Sequence, residues 1–251
     1  MEPDAYTGMN ALEKEHWWYV SRRRIISKII RKLDLSNNAS ILEVGCGTGG
    51  NLEMLSQHGK VKGVEKNKSA LEIAHQNARS RNLQNVEIES GALPDNLPYG
   101  AESFDLICLF DVLEHIEADF DALVALKHRL NDEGHIVLTV PAYQFLYGKH
   151  DHTLHHIRRY TRTTLLKIHQ KGGLHIDYMN HFNFLLAPLI IFIRLYQKCF
   201  STERNYEATM PNRILNSLLK KIMCSEIFLV PSISIPFGIS IICVSSAVTD
   251  E

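Results

Sequence analysis

The sequence predicts an α/β protein: an open, mostly parallel sheet of seven strands with helices on both faces. Three observations predict it. Short apolar strand patterns alternate with helical patterns from about residue 39 to residue 141. The run "FDLICLF" is apolar without alternation, as in the buried middle of a parallel sheet. Two more strand patterns, "LHIDYMNHF" and "GISIICVSSA", follow where that regularity ends. At 251 residues the chain can bury one sizeable core, and one domain over 1–251 is expected.

The N-terminus, "MEPDAYTGMNALEKEH", is polar and acidic and lacks a signal-peptide pattern. Residues 10–34 read as a cap helix, with Ile25, Ile26, Ile29, Ile30 and Leu33 on one stripe. "SILEVG" is a buried first strand, bounded by Ser40 and Gly45, with a helix expected over about 49–58. "KVKGVE" is the second strand, and a helix follows over about 67–81 with Asn67 or Ser69 as its cap. "NVEIES" is the third strand and "FDLICLF" the fourth. "DFDALVALKHRL" is an amphipathic helix, and "GHIVLTVP" is a fifth strand stopped by Pro141. Strand–helix repeats of this kind connect right-handedly and bind ligands at the carboxyl ends of their strands. "RTTLLKIHQKGG" is a helix with a glycine stop before the sixth strand.

Between the sixth and seventh strands lies a helical insertion, about 184–236. Its first helix, within "FLLAPLIIFIRLYQKCF", is too short, and too interrupted by Pro188 and Arg194, to span a bilayer. Four readings stay open for it: a lid on the domain's own core, a cap on a hydrophobic substrate, a homodimer contact, or a peripheral membrane contact.

The formal net charge of -1 gives no reason to expect nucleic acid. Cys46, Cys108, Cys199, Cys224 and Cys243 lie far apart, without CxxC spacing, and read as free thiols in a reducing cytoplasm. His150, His152, His155 and His156 cluster in "GKHDHTLHHIRRY". Lys149, Arg158 and Arg159 crowd them with positive charge, and their spacing matches no familiar zinc pattern, so no metal is expected.

The chemistry concentrates in "ILEVGCGTGG". Glycines follow the strand where the backbone must turn tightly or approach a ligand, and the turn is expected to offer free N–H groups. Gly45-x-Gly47-x-x-Gly50 alone matches a dinucleotide fingerprint, which keeps a nicotinamide-dependent oxidoreductase as an alternative. Glu43 argues otherwise, because a carboxylate there repels a pyrophosphate but accepts a hydrogen bond from an ammonium. Glu65, at the end of the second strand, can accept both hydroxyls of a ribose. "FDLICLFDVLEHI" then carries the fourth strand into Asp111, Glu114 and His115. A cofactor with an amino-acid end and an adenosine end, S-adenosylmethionine, fits all three.

"LEVGCGTG", Glu65 and "FDVLEH" together resemble the class I S-adenosylmethionine-dependent methyltransferases, over roughly residues 17–180. The resemblance implies a Rossmann-like fold and methyl transfer to oxygen or nitrogen of a small-molecule or lipid-like acceptor. It implies that Glu43, Gly45, Cys46 and Gly47 line the methionine and ribose portions of the cofactor. Glu65 would hold the ribose and Lys66 lie beside the adenine. Phe110 and Asp111 would face the methionine end. The acid usual after the third strand is missing from Ser90-Gly91-Ala92-Leu93, so backbone groups of Ala92 and Leu93 are expected to meet the adenine. "EHWWYVSRRR" is similar to an aromatic-pair subset of the family. It places Trp18 at the pocket wall and Arg22 or Arg23, with Arg23 the nominated residue, on the cofactor carboxylate.

Substrate is expected against "PAYQFLYGKHDHTLHHIRRYTRTTL", which follows the fifth strand. His155 or His156 is the candidate base, with His115 and Tyr160 as further catalytic candidates. Tyr143, Tyr147, Arg158 and Arg159 are the candidate substrate-binding residues, the arginines for an anionic group. A module that binds the cofactor without catalysis is the remaining alternative.

Overall fold

A computed structural model of the chain describes residues 3–200 and 209–248, with side chains from 6 to 196 and from 209 to 248. The elements run α1 (Pro3–Glu15), α2 (Trp17–Ile30), β1 (Ala39–Val44), α3 (Leu52–Leu55), β2 (Gly59–Glu65), α4 (Lys68–Ser80), β3 (Val86–Ser90) and β4 (Phe104–Phe110). They continue with α5 (Asp119–Lys127), β5 (Leu130–Pro141), α6 (Lys149–Thr153), α7 (Arg162–Lys171), β6 (Leu174–Phe182), α8 (Ala187–Phe200), α9 (Arg213–Ser225) and β7 (Ser240–Ala247).

The sheet has seven strands in the order β3-β2-β1-β4-β5-β7-β6. β1 to β5 are parallel, and β7 is antiparallel to both β5 and β6. Chain order reverses between β1 and β4, the place where an open α/β sheet leaves a crevice at its carboxyl edge. The register brings the ends of the central strands level there: Val44 pairs with Val64, Glu43 with Cys108, and Phe110 with Thr139.

Alternate residues of each strand feed opposite core layers. Ile41, Leu106, Cys108, Val137 and Ile242 join Ile25, Ile26, Leu52 and Met223 on one face. Leu42, Ile107, Leu109, Ile136, Leu138 and Ile241 join Leu123, Leu126 and Leu165 on the other. Truncating a fully buried residue such as Ile26 to alanine costs about 2–5 kcal/mol.

The structure departs from sequence expectation in three elements. The cap helix expected over 10–34 is two helices, because His16 takes an extended conformation (φ −63°, ψ 134°) and its side chain caps α2 at the Trp18 N–H. The helix expected over 49–58 shrinks to the four residues of α3, since Gly49 sits at φ 80°. β5 begins at Leu130, ahead of Gly134, because Leu130 already pairs with Phe104.

α8 and α9 occupy the connection between β6 and β7. α9 seats on α2: the Trp17 N–H donates to Asn216 Oδ1 at 2.8 Å, and Asn216 Nδ2 donates to the Glu15 carbonyl at 3.0 Å. α8 packs Ala187, Ile190 and Ile191 near Leu146 and Tyr143, leaving Leu189 and Phe192 exposed. No helix among the described residues is long and apolar enough to cross a membrane. Cys46, Cys108 and Cys243 are buried free thiols and Cys224 is half-buried, while the Cys199 side chain lies outside the described residues.

Candidate active site

The glycine turn follows β1 and is tied to the end of β2. Gly45 has φ 72°, and a Cβ there would lie 2.6 Å from Val112 Cγ2, so conformation and space both require glycine. The N–H groups of Gly45 and Cys46 both donate to the Val64 carbonyl, at 2.8 and 3.0 Å. The Gly47 N–H donates to Glu65 Oε2 at 3.0 Å. These amides are therefore used inside the fold, and the expectation that they stand free for a ligand is corrected. The reason is geometric: a turn that begins in register with β2 has β2's own acceptors within reach.

Glu65 is buried at the end of β2, where Oε1 also accepts the Asn67 N–H at 2.8 Å. The two donors fix the carboxylate at the crevice edge. Glu43 is fully buried: Oε1 accepts Asn51 Nδ2 at 2.8 Å, while Oε2 has no hydrogen-bond partner. Burial pushes the Glu43 carboxyl up to about 8, with the neighbouring Glu13 and Glu65 carboxylates adding to the rise. A buried acceptor without a donor matches a ligand that brings a cation.

α1 covers the turn. The Glu13 carboxyl accepts the Thr48 hydroxyl and fills the space a Cβ on Gly50 would need, while the Met9 terminal methyl approaches Gly47. Arg22 on α2 is buried and pairs with Asp111, leaving its Nε without a partner. Asp111 itself sits at φ 57° just after β4, and its Oδ1 accepts the Thr139 hydroxyl at 3.1 Å. Arg23 turns away and donates to the Glu13 carbonyl. Arg22, not Arg23, is thus the arginine brought to the crevice, because it lies on the same buried stripe of α2 as Ile25, Ile26, Ile29 and Ile30. Trp18 stacks on Phe182 at 6.0 Å between ring centroids, packed against the core. Phe110 is buried, and Lys66 is exposed beyond β2. Both backbone groups of Ala92 pair with Asn96, at 2.8 and 3.0 Å, so Ala92 does not offer its amide to an adenine; Leu93 packs beside the second core layer.

The loop after β5 folds around Asp151, which is fully buried. Its carboxylate accepts Arg159 Nε at 2.8 Å and Nη2 at 3.1 Å, and the Gly148 N–H at 3.0 Å. Its Oδ1 also holds His156 Nδ1 at 2.9 Å. Burial would raise the Asp151 carboxyl, but the His156 hydrogen bond and the Arg159 charge overturn this and hold it well below the usual carboxylate range. Arg158 pairs with Asp119 at 2.7 Å and donates to the Glu117 carbonyl. Both arginines expected to grip an anionic substrate are therefore committed to acids of the protein.

Tyr160 is buried, and its hydroxyl donates to Asp119 Oδ2 at 2.8 Å. Burial and that neighbouring carboxylate push the phenol up, so it holds its proton and anchors the loop. Tyr147 donates to the His156 carbonyl at 2.6 Å. Tyr143, at φ 63°, hydrogen-bonds His181 Nε2 at 3.1 Å and stacks on Phe237, half-exposed beside α8.

Of the histidines, His155 is exposed and contributes its carbonyl, which lies 3.2 Å from His115 Nδ1. His115 and His156 meet edge to face at 4.7 Å between centroids. Burial pushes the His115 imidazole down to about 4, aided by the neighbouring His156, so its ring is neutral at neutral pH. Beneath them Glu114 is fully buried with neither carboxylate oxygen hydrogen-bonded. Sequence reasoning named Glu114 without a role, counted Asp151 among the substrate-loop candidates rather than as the loop's organiser, and missed Glu13 and Met9. "EKEH" and "KHDH" carry no signal that would mark a buried acid.

An open α/β sheet with a strained glycine turn, an acid closing the second strand and an orphaned acceptor beneath the turn defines a nucleoside-cofactor enzyme. Residues 35–183 match the family model for a methyltransferase domain, and the chain belongs to that family. It is 27% identical over 128 residues to a mitochondrial ubiquinone biosynthesis O-methyltransferase of Schizosaccharomyces pombe, covering 49% of this chain and 46% of that protein. It is 34% identical over 74 residues to a Legionella pneumophila 23S rRNA (uracil(1939)-C(5))-methyltransferase, covering 29% and 17%. The chain thus spans less than half the length of either curated relative. Its fold matches an S-adenosylmethionine-dependent methyltransferase of Clostridium acetobutylicum with TM-score 0.58 at 14% identity, covering 91% of this chain and 92% of that one. The chain therefore contains a methyltransferase domain.

Proposed function

We propose that the enzyme transfers a methyl group to a hydroxyl oxygen of a small, lipid-like acceptor. The observation that carries this reading is the convergence of Glu114, His115 and His156 just after β4, beside Asp111. A hydroxyl must lose its proton before or during attack, whereas a neutral amine already offers a lone pair. A partly buried group of two imidazoles and a carboxyl suits the first task and is superfluous for the second.

When bound, the cofactor supplies an electrophilic methyl carbon on a sulfonium. Glu65 receives the ribose hydroxyls, Glu43 Oε2 receives the cofactor's ammonium, and Arg22, already beside Asp111, meets its carboxylate. Gly45, Cys46 and Gly47 set the floor against which it lies. α1 excludes water from above through Met9 and Glu13. The protein's work is then alignment of the acceptor oxygen with the methyl carbon in a dry crevice. His115 and His156 face the acceptor hydroxyl and handle its proton.

The rim supports a lipid-like acceptor. Phe145, Phe237, Leu189 and Phe192 expose apolar surface around Tyr143 and α8. Ile214 and Phe228 are 83% and 78% exposed, with Arg213 and Lys221 nearby on the surface of α9. Among the described residues of 184–236 the one acid, Glu226, is buried. An apolar, basic rim of this kind suits an anionic lipid surface. The ubiquinone biosynthesis O-methyltransferase that the chain resembles acts, by its name, in the same acceptor class.

The test is turnover of a series of catechols and phenols with increasing alkyl chains, matched against amines and RNA. Rising kcat/KM with chain length on hydroxyl acceptors supports the reading. Turnover confined to amines or RNA overturns it.

A further inference from the structure

We propose that Tyr143, oriented by His181, is a specificity-determining residue: its hydroxyl oxygen accepts a hydrogen bond from a second hydroxyl that a flat aromatic acceptor carries besides the reacting one. The place of this contact in the reaction rests on the hydroxyl-acceptor reading; the contact itself does not.

Three neighbouring strands bring the residues together. β5 and β6 both run antiparallel to β7, so the ends of β5 and β6 meet the start of β7 at the carboxyl edge of the sheet. Pro141, Ser240 and Phe182 lie level there. Tyr143 follows β5, His181 closes β6, and Phe237 leads into β7. Thr139, four residues before Tyr143 on β5, donates its hydroxyl to Asp111, which joins this edge to the turn after β4.

The direction of the Tyr143 hydrogen bond is fixed from behind. His181 Nδ1 lies 3.1 Å from the Ile235 carbonyl, and a carbonyl can only accept, so Nδ1 carries the hydrogen. His181 is buried, and burial pushes its imidazole down from the usual histidine range, so the ring is neutral at neutral pH and has one N–H. Nε2 is then an acceptor, and the Tyr143 hydroxyl at 3.1 Å donates to it. Burial pushes the phenol up, so it keeps that proton. With its one hydrogen used on His181, the half-exposed Tyr143 oxygen has only lone pairs to offer a ligand. The ligand must bring the donor. The Arg162 guanidinium is the charge felt by both rings, and it disfavours an ammonium there. A neutral hydroxyl suits the position.

The backbone shows that this placement is imposed. Tyr143 sits at φ 63°, a conformation that a bulky side chain rarely adopts. Its N–H donates to the Tyr160 carbonyl at 2.8 Å, and the preceding Ala142 N–H donates to the Ile239 carbonyl at 2.9 Å. The two bonds hold the strained residue, the arrangement expected where a side chain is aimed for use. The surroundings select a flat ligand. Tyr143 stacks on Phe237 with centroids 4.9 Å apart and planes 16° apart, and Phe145 meets it at 5.5 Å and 33°. Phe145 and Phe237 are exposed, at 52% and 37%, and leave ring surface on which an aromatic acceptor can pack.

The experiment uses the full chain saturated with S-adenosylhomocysteine. The probes are alkylated ortho-, meta- and para-dihydroxybenzenes, each beside its monomethyl ether, in which one oxygen can only accept. Calorimetric titration should show at least one dihydroxy isomer bound at least about threefold more tightly than its ether. Tyr143→Phe keeps the ring and should bring the two affinities to within about 1.5-fold of each other, with the ether little changed. His181→Leu frees the Tyr143 hydroxyl to donate, so the ether should bind more tightly than it does to the wild type. Loss of packing alone would weaken both compounds. An S-adenosylhomocysteine affinity within about twofold of wild type shows each variant folded, and if His181→Leu fails to fold, Tyr143→Phe, on a half-exposed residue, carries the test. A preference for the dihydroxy compound that survives Tyr143→Phe overturns the proposal. So does a wild-type protein that binds no probe, or that binds each ether as well as its dihydroxy partner. If the preference appears and depends on Tyr143 but no hydroxyl compound turns over, the contact stands and the hydroxyl-acceptor reading falls.

Discussion

Replacing Asp151 by asparagine should cost the protein more than removing any residue of the rim. The carboxylate is fully buried and holds Arg159, itself 3% exposed in its side chain, through two hydrogen bonds of 2.8 and 3.1 Å. The amide of an asparagine could satisfy one of these and would leave the guanidinium without a counter-charge. Breaking a buried pair by removing one partner costs about 3–5 kcal/mol. For a chain of this size that lowers Tm by roughly 6–20 °C, at about 2–4 °C per kcal/mol. Calorimetry at pH 7 reads the shift. The pH dependence supplies a second check. Asp151's folded pKa lies below its unfolded one, so its stabilisation is present above the ordinary aspartate range near pH ~3.9. It is lost progressively as pH falls from there through the folded-state value well below it, so the gap between wild type and Asp151→Asn should start to narrow below about pH 4 and keep shrinking at lower pH. Pairing Asp151→Asn with Arg159→Met, which removes the stranded charge, should restore at least about half of the loss. A Tm shift under about 2 °C, or a double variant less stable than the single, would refute the reasoning.

The other predictions concern the cofactor end. Glu65→Ala should weaken S-adenosylhomocysteine binding by about 1–3 kcal/mol, or roughly 5- to 150-fold in titration, because a buried charged acceptor is lost. Gly45→Ala must hold a side chain at φ 72° against Val112, so both cofactor affinity and Tm should fall, by about 1–2 kcal/mol or more for the backbone alone. Glu43, raised to about 8, is protonated at pH 7 in the free protein, and the cofactor's ammonium should lower it. Binding should therefore release a proton at pH 7, and the release should fade above about pH 9. Titrations in buffers of different ionisation enthalpy measure it, and Glu43→Gln should abolish it.

Much of this architecture is legible in the residue string. The strands declare themselves because central parallel strands are apolar on both faces, and "FDLICLF" and "GHIVLTVP" are. The glycine turn, Glu43 and Glu65 are legible because an acid inside a buried run has few structural uses. What stayed hidden depends on pairing across the fold. Arg22 continues the buried stripe of Ile25, Ile26, Ile29 and Ile30, but its partner Asp111 comes from the end of β4 and cannot be read locally. The arginines of "HHIRRY" read as substrate clamps until Asp119 and Asp151 arrive from elsewhere in the chain. Gly49 and Gly50 read as the start of a helix, but they serve close approach instead, to Ala74 and to Glu13 of α1. The role of Glu13 cannot be seen locally, since "ALEKEH" offers two glutamates with the same surface appearance.

The central claim is that one crevice, between the β1 turn and the end of β2, holds the cofactor by its ribose and its amino-acid end. A crystal structure of the protein with S-adenosylhomocysteine tests it most directly. The ribose hydroxyls should lie within hydrogen-bond distance of Glu65, the ammonium within reach of Glu43 Oε2, and the carboxylate beside Arg22. Finding the thioether elsewhere, or a pyrophosphate seated in that turn, would contradict it.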